Sequence, residues 1–313
     1  MRIGVFGTGG VGGYFGGKLA QAGEDVIFLA RGEHLEAIRQ SGLRVDSPKG
    51  DFHIMPAQAT ADPGVVGPVD CVLVGVKAWQ VSDAAAAMIP LAGEQTVVLP
   101  LQNGVEAPGQ LAAVLGAEHV LGGLCKISAQ VVEPGHIRHL GLEPYIAFGE
   151  VREWGCSQAF TGEQAERLRE AFSRTGVWVE TPGDIQAAMW EKFLFIAAIS
   201  GVGAVARAPV GEVRFLAGSR RMLEQVIEEI YAVALVKGVK LSDDVVARTM
   251  AFVDGLPAGS LPSMQRDILD GKPSELEYQN GAVVRMGQES GVPTPVNAFI
   301  YHSLLPQERR ARG

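Results

Sequence analysis

The glycine-rich run Gly7-Thr8-Gly9-Gly10-Val11-Gly12 constrains this chain more than any other feature. It follows the apolar run Ile3-Gly4-Val5-Phe6, which reads as a buried strand, and it opens a helix-forming stretch over residues 12–22. Glycine at the first position permits a tight turn. At the third it lets backbone approach a pyrophosphate, and at the sixth it lets helix pack on strand. Amides at the start of such a helix face phosphate oxygens, and the helix dipole favours their charge. A glycine turn with a purely structural purpose is the competing reading, and the strand–loop–helix order favours a dinucleotide.

Beyond the loop, short apolar runs alternate with helical stretches. Residues 25–30, 71–76 and 96–99 read as strands, and residues 34–40 and 84–89 as helices. That alternation implies a mostly parallel sheet covered on both faces. Residues 120–149 change to turn-separated β segments around Pro134-Gly135 and Pro144, followed by a helix over 162–175 and a strand over 177–180. From about Ile185 the chain reads as helices, over residues 186–200, 220–237, 276–288 and 296–304. In the second of these, Leu223, Val226, Ile227 and Ile230 form an amphipathic stripe that stops before Gly238. Thr294 as cap and Pro295 in the first turn start the last one. The expected architecture is α/β: an N-terminal Rossmann-type, doubly wound parallel sheet over residues 1–183 and an all-helical C-terminal domain over residues 184–313.

At 313 residues the chain suits two domains, and its 47% hydrophobic and 20% charged residues mark a globular protein. A net charge of −8 without clustered Lys and Arg argues against a nucleic-acid surface. The longest apolar stretch, residues 193–206, falls short of the roughly 20 residues a membrane span needs, so no membrane partner is expected. Cys71, Cys125 and Cys156 form no CxxC pair and suit a reducing cytoplasm, the expected location. His136 and His139 lie in extended-looking chain, a poor metal clip, and no metal is expected.

The end of the second strand bears on cofactor choice. NAD sites usually place a carboxylate there, whereas this chain has Ala30-Arg31. A carboxylate would repel a 2′-phosphate, and Arg31 can pair with one, so the reading is NADP(H). Lys77 and Asn103 each fall just past a parallel strand, along the edge where open α/β sheets bind ligands. Lys192 lies in Ala187-Ala188-Met189-Trp190-Glu191-Lys192-Phe193-Leu194, where nearly everything else is apolar. Hydride addition to a carbonyl carbon leaves an oxygen that needs a proton, and a desolvated lysine ammonium can supply it. Glu191 and Lys192 facing water on an amphipathic helix is the alternative. Ser274 and Glu277 have capping-box spacing, which puts Glu275 in the first turn of a helix, and Ser263 after Pro262 reads as another helix start.

Together these residues resemble the ketopantoate reductase family over nearly the whole chain. The resemblance rests on the glycine loop, Arg31, Lys77-Ala78-Trp79-Gln80, Gln102-Asn103-Gly104, Trp190-Glu191-Lys192, Ser263-Met264-Gln265-Arg266-Asp267, Glu275-Leu276-Glu277-Tyr278 and Asn280-Gly281. It implies that the loop residues Gly7, Thr8, Gly9, Gly10, Val11 and Gly12, with Arg31 and Lys77, hold NADPH, and that Asn103 touches cofactor and substrate. It further implies that Lys192 is the catalytic acid, that Ser263 grips the substrate, and that Glu275 contacts the nicotinamide end and belongs to the catalytic set. Ala129 matches a backbone contact to the cofactor. The implied reaction is reduction of the 2-oxo acid 2-dehydropantoate to pantoate, toward pantothenate, by a monomer or homodimer. The chain departs from the family pattern at Ile196 and Ser200, where asparagines contact substrate, and at Ser260, where another asparagine is common. Two other readings stand beside this one: a more apolar 2-oxo or 2-hydroxy acid as substrate, and a non-catalytic NADP-binding protein.

Overall fold

The computed structural model describes residues 1–151 and 162–313, and the expectation for Cys156 falls outside the described residues. Cys71 and Cys125 are buried and form no disulfide among the described residues. The chain divides into two compact units, Met1–Gln102 with Ala107–Ile185, and Asn103–Glu106 with Gln186–Gly313.

In the first unit the opening run forms β1 (Arg2–Phe6), followed by α1 (Gly10–Gln21), β2 (Asp25–Leu29) and α2 (Gly32–Ser41). Next come β3 (Leu43–Asp46), β4 (Phe52–Ile54), β5 (Gln58–Thr60), β6 (Cys71–Val74), α3 (Val81–Met88), β7 (Val97–Pro100) and α4 (Ala107–Leu115). Then follow β8 (Gly122–Lys126), β9 (Ala129–Glu133), β10 (His136–His139), β11 (Tyr145–Gly149), α5 (Gly162–Ser173) and β12 (Trp178–Glu180). The central sheet runs β5-β2-β1-β6-β7 with every pairing parallel. The order reverses direction at β1, so the loop leaving β1 sits at a topological switch point, where such sheets bind ligands. Its central strands are continuous apolar runs because both faces are covered. Ile3 and Val5 share a buried cluster with Phe15 and Leu19 of α1, while Phe6 joins Ala85 and Met88 of α3 and Leu111 of α4.

A second sheet, β4-β3-β10-β9, was not legible as such. Its strands are three to five residues long and partly polar, and β3 meets β10 in parallel across about ninety residues of chain. Strands β12-β11-β8 make a third.

After β12, every regular element among the described residues is helical: α6 (Ile185–Ala206), α7 (Val210–Phe215), α8 (Ala217–Val236), α9 (Val245–Gly255), α10 (Ser263–Leu269), a 3-10 turn at Leu276–Tyr278, α11 (Asn280–Ser290) and α12 (Pro295–Arg312). Helix α6 corrects the expectation drawn from residues 193–206. Its 22 residues are long and apolar enough to cross a bilayer, but 67% of its most apolar window is buried inside the protein. It is a core helix, with Phe193, Leu194, Ala197 and Val202 packed in one cluster with Ile227 and Ile230 of α8, Val283 of α11 and Ile300 of α12.

Helix α12 begins at Pro295 with Thr294 at its N-cap and α10 begins at Ser263, as expected, but the side-chain caps expected at Thr294 and Ser274 give way to tertiary partners. Thr294 makes no side-chain cap; instead the Glu229 carboxylate on α8 accepts the Val296 and Asn297 amides at 2.8 and 2.9 Å. The Ser274–Glu277 capping box does not form. Ser274 Oγ donates to Glu308 at 2.5 Å and accepts from the Leu276 amide, while Glu277 pairs with Arg285 and accepts from the Tyr301 hydroxyl. The α-helix then begins at Asn280.

Phe193 is 1% exposed at the centre of the helical core. Phe193→Ala should cost about 3–5 kcal/mol through lost burial and a residual cavity, measured as a lower denaturant midpoint at unchanged slope.

Candidate functional site

The phosphate loop is built by backbone approach. Gly7 has φ +96°, and the Gly7 and Thr8 amides both donate to Leu29 O at 3.2 Å, joined by Thr8 Oγ1 at 3.0 Å. A Cβ on Gly12 would overlap the Gly7 carbonyl, and one on Gly10 would overlap the backbone of Ala129. Ala129, which opens β9, therefore stands against the start of α1. Gly9, the N-cap of α1, has open space where its Cβ would be. Val11, in the first turn of α1, is half-buried.

Arg31 is the exposed N-cap of α2, two residues past β2. Among the described residues its guanidinium makes no hydrogen bond or ion pair, although the chain has 35 acids against 27 Lys and Arg. Lys77 follows β6 and is exposed at the start of a 3-10 turn, with Nζ 5.6 Å from the centroid of the Trp79 ring. That segment is held by Gln102, whose Nε2 donates to the Val74 and Val76 carbonyls at 2.8 and 2.9 Å.

The second unit brings together residues far apart in sequence. Asn103 Nδ2 donates to Glu275 Oε2 at 3.1 Å, and Glu275 is 5% exposed. Beside it, the Glu308 carboxylate accepts both the amide and hydroxyl of Ser274, and Arg312 donates to both Glu308 and the Ser274 carbonyl. The segment carrying Glu275 is thus pinned to α12. Asn103 is followed by Glu106, whose carboxyl burial pushes up against the opposing pull of Arg285, 3.0 Å away.

On α6, Lys192 and Ile196 are half-buried and Ser200 fully buried, four residues apart along one face. Glu191 is half-buried like Lys192, and it pairs with Arg248 at 2.9 Å. Lys192 lies about 100° further round the helix, in a partly enclosed position. Ser200 Oγ has no hydrogen-bond partner among the described residues, nor does Asn280 Oδ1. Ser263 opens α10 and Ser260 lies in the turn before it, both half-buried.

The roles of three side chains escaped sequence reasoning. Gln102 steadies the strand end before Lys77. Asn280, fully buried, donates to Asn297, which in turn donates to Glu229. His34 bonds the phosphate loop. Each acts across a large sequence separation, so no local spacing announces it.

A family model described as ketopantoate reductase PanE/ApbA matches residues 3–153, and its C-terminal counterpart matches residues 184–308. The chain belongs to the ketopantoate reductase family. An uncharacterized oxidoreductase, YkpB, of Bacillus subtilis is 31% identical over 98% of this chain and 99% of its own. The 2-dehydropantoate 2-reductase of Halobacterium salinarum is 33% identical over 95% of each. Among solved structures, a PanE/ApbA family ketopantoate reductase from Ralstonia eutropha superposes with a TM-score of 0.89 at 32% identity, covering all of both chains. The ketopantoate reductase family is one of oxidoreductases that use a nicotinamide cofactor, and the glycine cradle at the switch point fits the dinucleotide of one.

Gly12→Ala should lower dinucleotide affinity at least about tenfold, because the new methyl must displace the Gly7 peptide that shapes the loop. Titration of the cofactor by fluorescence checks this, with the circular dichroism spectrum expected to stay unchanged.

Proposed function

We propose that the chain reduces a 2-oxo acid with NADPH, and that 2-dehydropantoate, the substrate named for several relatives, is its substrate. The observation that carries this reading is the Asn103–Glu275 hydrogen bond, which joins two residues 172 positions apart within the unit that also holds Lys192. Family resemblance assigns those two residues to the substrate and nicotinamide ends of one reaction.

Bound NADPH supplies the hydride. The chain's own residues do the rest. Amides at the start of α1 bind the pyrophosphate, and Arg31 meets the 2′-phosphate with a guanidinium that no acid among the described residues pairs. Lys77 adds a second cation. Asn103 and Glu275 orient the reacting groups, with Asn103 fixing the carboxylate rotamer. Lys192 delivers a proton to the oxygen of the C2 carbonyl as the C–H bond forms at carbon, and stabilises the negative charge developing there. The balance is 2-oxo acid, NADPH and one proton giving the 2-hydroxy acid and NADP⁺. Ser260 and Ser263 contribute hydroxyls to the substrate.

Lys192→Ala should bind NADPH with near-unchanged affinity and lose about 10²–10⁴-fold in kcat, measured by NADPH absorbance with 2-dehydropantoate. Normal turnover in this variant contradicts the assignment of the acid. Arg31→Asp should move cofactor preference from NADPH toward NADH by charge repulsion, read from the ratio of the two kcat/KM values. An unchanged ratio removes Arg31 from the 2′-phosphate.

Ile196 favours a second substrate reading. A half-buried isoleucine four residues beyond Lys192 cannot hydrogen-bond a substrate hydroxyl, and leaving one unpaired costs about 1–3 kcal/mol, roughly ten- to a hundredfold in affinity. An apolar 2-oxo acid avoids that cost. Comparing kcat/KM across branched and aromatic 2-oxo acids decides between the two, and a best rate with 2-dehydropantoate removes the apolar reading.

A further inference from the structure

We infer that His34 is a positioning residue for the phosphate loop and that it acts only as the neutral imidazole. This rests on reading the loop as the dinucleotide site, and it adds a residue outside the glycine motif. His34 lies in the first turn of α2, half-buried, with Nε2 2.7 Å from the Thr8 carbonyl oxygen and Nδ1 3.0 Å from the Gly135 amide nitrogen. A backbone N–H can only donate and a carbonyl can only accept. Nδ1 therefore accepts from Gly135, and Nε2 carries the proton and donates to Thr8.

The consequence reaches the ligand through one peptide plane. The Thr8 carbonyl and the Gly9 N–H belong to the same planar trans peptide and point in opposite directions. Holding the carbonyl against His34 aims the Gly9 N–H the other way. Gly9 C=O is committed to the Gly13 amide at 2.8 Å, and the Thr8 amide and hydroxyl are committed to Leu29 O. Among the described residues the Gly9 N–H has no acceptor, which leaves it as the donor for a phosphate oxygen.

The clamp also joins three elements. Gly135 is the turn between β9 and β10, and β9 begins at Ala129, which already lies against Gly10. Loop, α2 and hairpin thus meet at one imidazole. A second proton on the ring would sit on Nδ1 and face the Gly135 N–H, replacing a hydrogen bond with two opposed donors. Burial holds the His34 pKa below its usual 6.5, against the opposing pull of the Thr8 carbonyl. The charged and imidazole groups on the neighbouring elements are Arg31, Glu33, Glu36 and Arg39 at and along α2, Lys18 on α1, and Glu133, His136, Arg138 and His139 on the hairpin. His136 is engaged with Glu133 and with Asp46 of β3. Because the folded pKa is depressed, the clamp is intact above 6.5 and is lost as pH falls through the lower folded value.

The test uses the full chain as wild type, His34→Ala and His34→Gln; glutamine offers one donor and one acceptor but cannot gain a proton. Amide hydrogen exchange at fixed neutral pH, without cofactor, should show faster exchange in the peptide spanning the loop in His34→Ala, with the β6 and β7 peptides unchanged. NADPH affinity should fall about tenfold in His34→Ala and be largely restored in His34→Gln. Between pH 8 and pH 5 the wild type should lose affinity more steeply than His34→Gln, a difference that cancels titration of the 2′-phosphate itself. Unchanged loop exchange in His34→Ala, or parallel pH profiles for wild type and His34→Gln, overturns the proposal. If the wild type binds no dinucleotide, the cofactor reading fails instead, and the exchange result still decides whether His34 holds the loop.

Discussion

Everything in the first unit follows from how closely backbone can approach backbone at the end of β1. The Gly7 peptide lies against Gly12, Gly10 lies against Ala129, and Gly7 turns through a left-handed conformation. Side chains at these places would push α1 off the sheet or close the space over Gly9. With them absent, a helix N-terminus stands at the point where strand order reverses, its amides turned outward. Positive charge for a phosphate then has to come from flanking segments, and Arg31 and Lys77, just past the ends of β2 and β6, are its proposed source.

The second unit solves a different problem. A carboxylate such as Glu275 is 5% exposed, and burying it is costly unless its orientation and hydrogen bonds are provided. Asn103 supplies a donor, and the Glu308–Arg312 pair fixes the preceding residue through every polar group it has. The same helix α12 is tied at its other end by Glu229. Ser274, Glu275 and Glu308 are buried together at the segment that carries Glu275, while the apolar bulk of α6 supplies the surface on which Lys192 is partly enclosed.

Much of this was legible because the signals are local. The loop, the alternation of strand and helix, the parallel sheet and the stripe of α8 depend on residues a few positions apart. What escaped depends on distant partners. Strands β3 to β5 are short and partly polar, and β3 pairs with β10 rather than with a sequence neighbour alone. Helix α9 buries Val245, Thr249, Met250 and Val253, and all of these but Met250 are β-branched residues with weak helical preference. Ser274 and Glu277 had capping-box spacing, yet Glu308, Arg285 and Tyr301 offered better-placed partners and the turn became 3-10. Asn103 was identified from its place after a strand, but its hydrogen bond to Glu275 spans the chain. Ile196 and Ser200 were named as departures, and the structure gives them different settings, one half-buried and apolar, the other fully enclosed.

The proposed reaction is hydride delivery to a 2-oxo carbon with Lys192 as the proton source. The most direct measurement follows the label from NADPH deuterated at the nicotinamide C4 position during reaction with 2-dehydropantoate, by mass spectrometry of the product. One deuterium at C2 of the hydroxy acid is expected, formed by the wild type and nearly absent with Lys192→Ala. Product lacking the label, or the same labelled yield from both proteins, contradicts it.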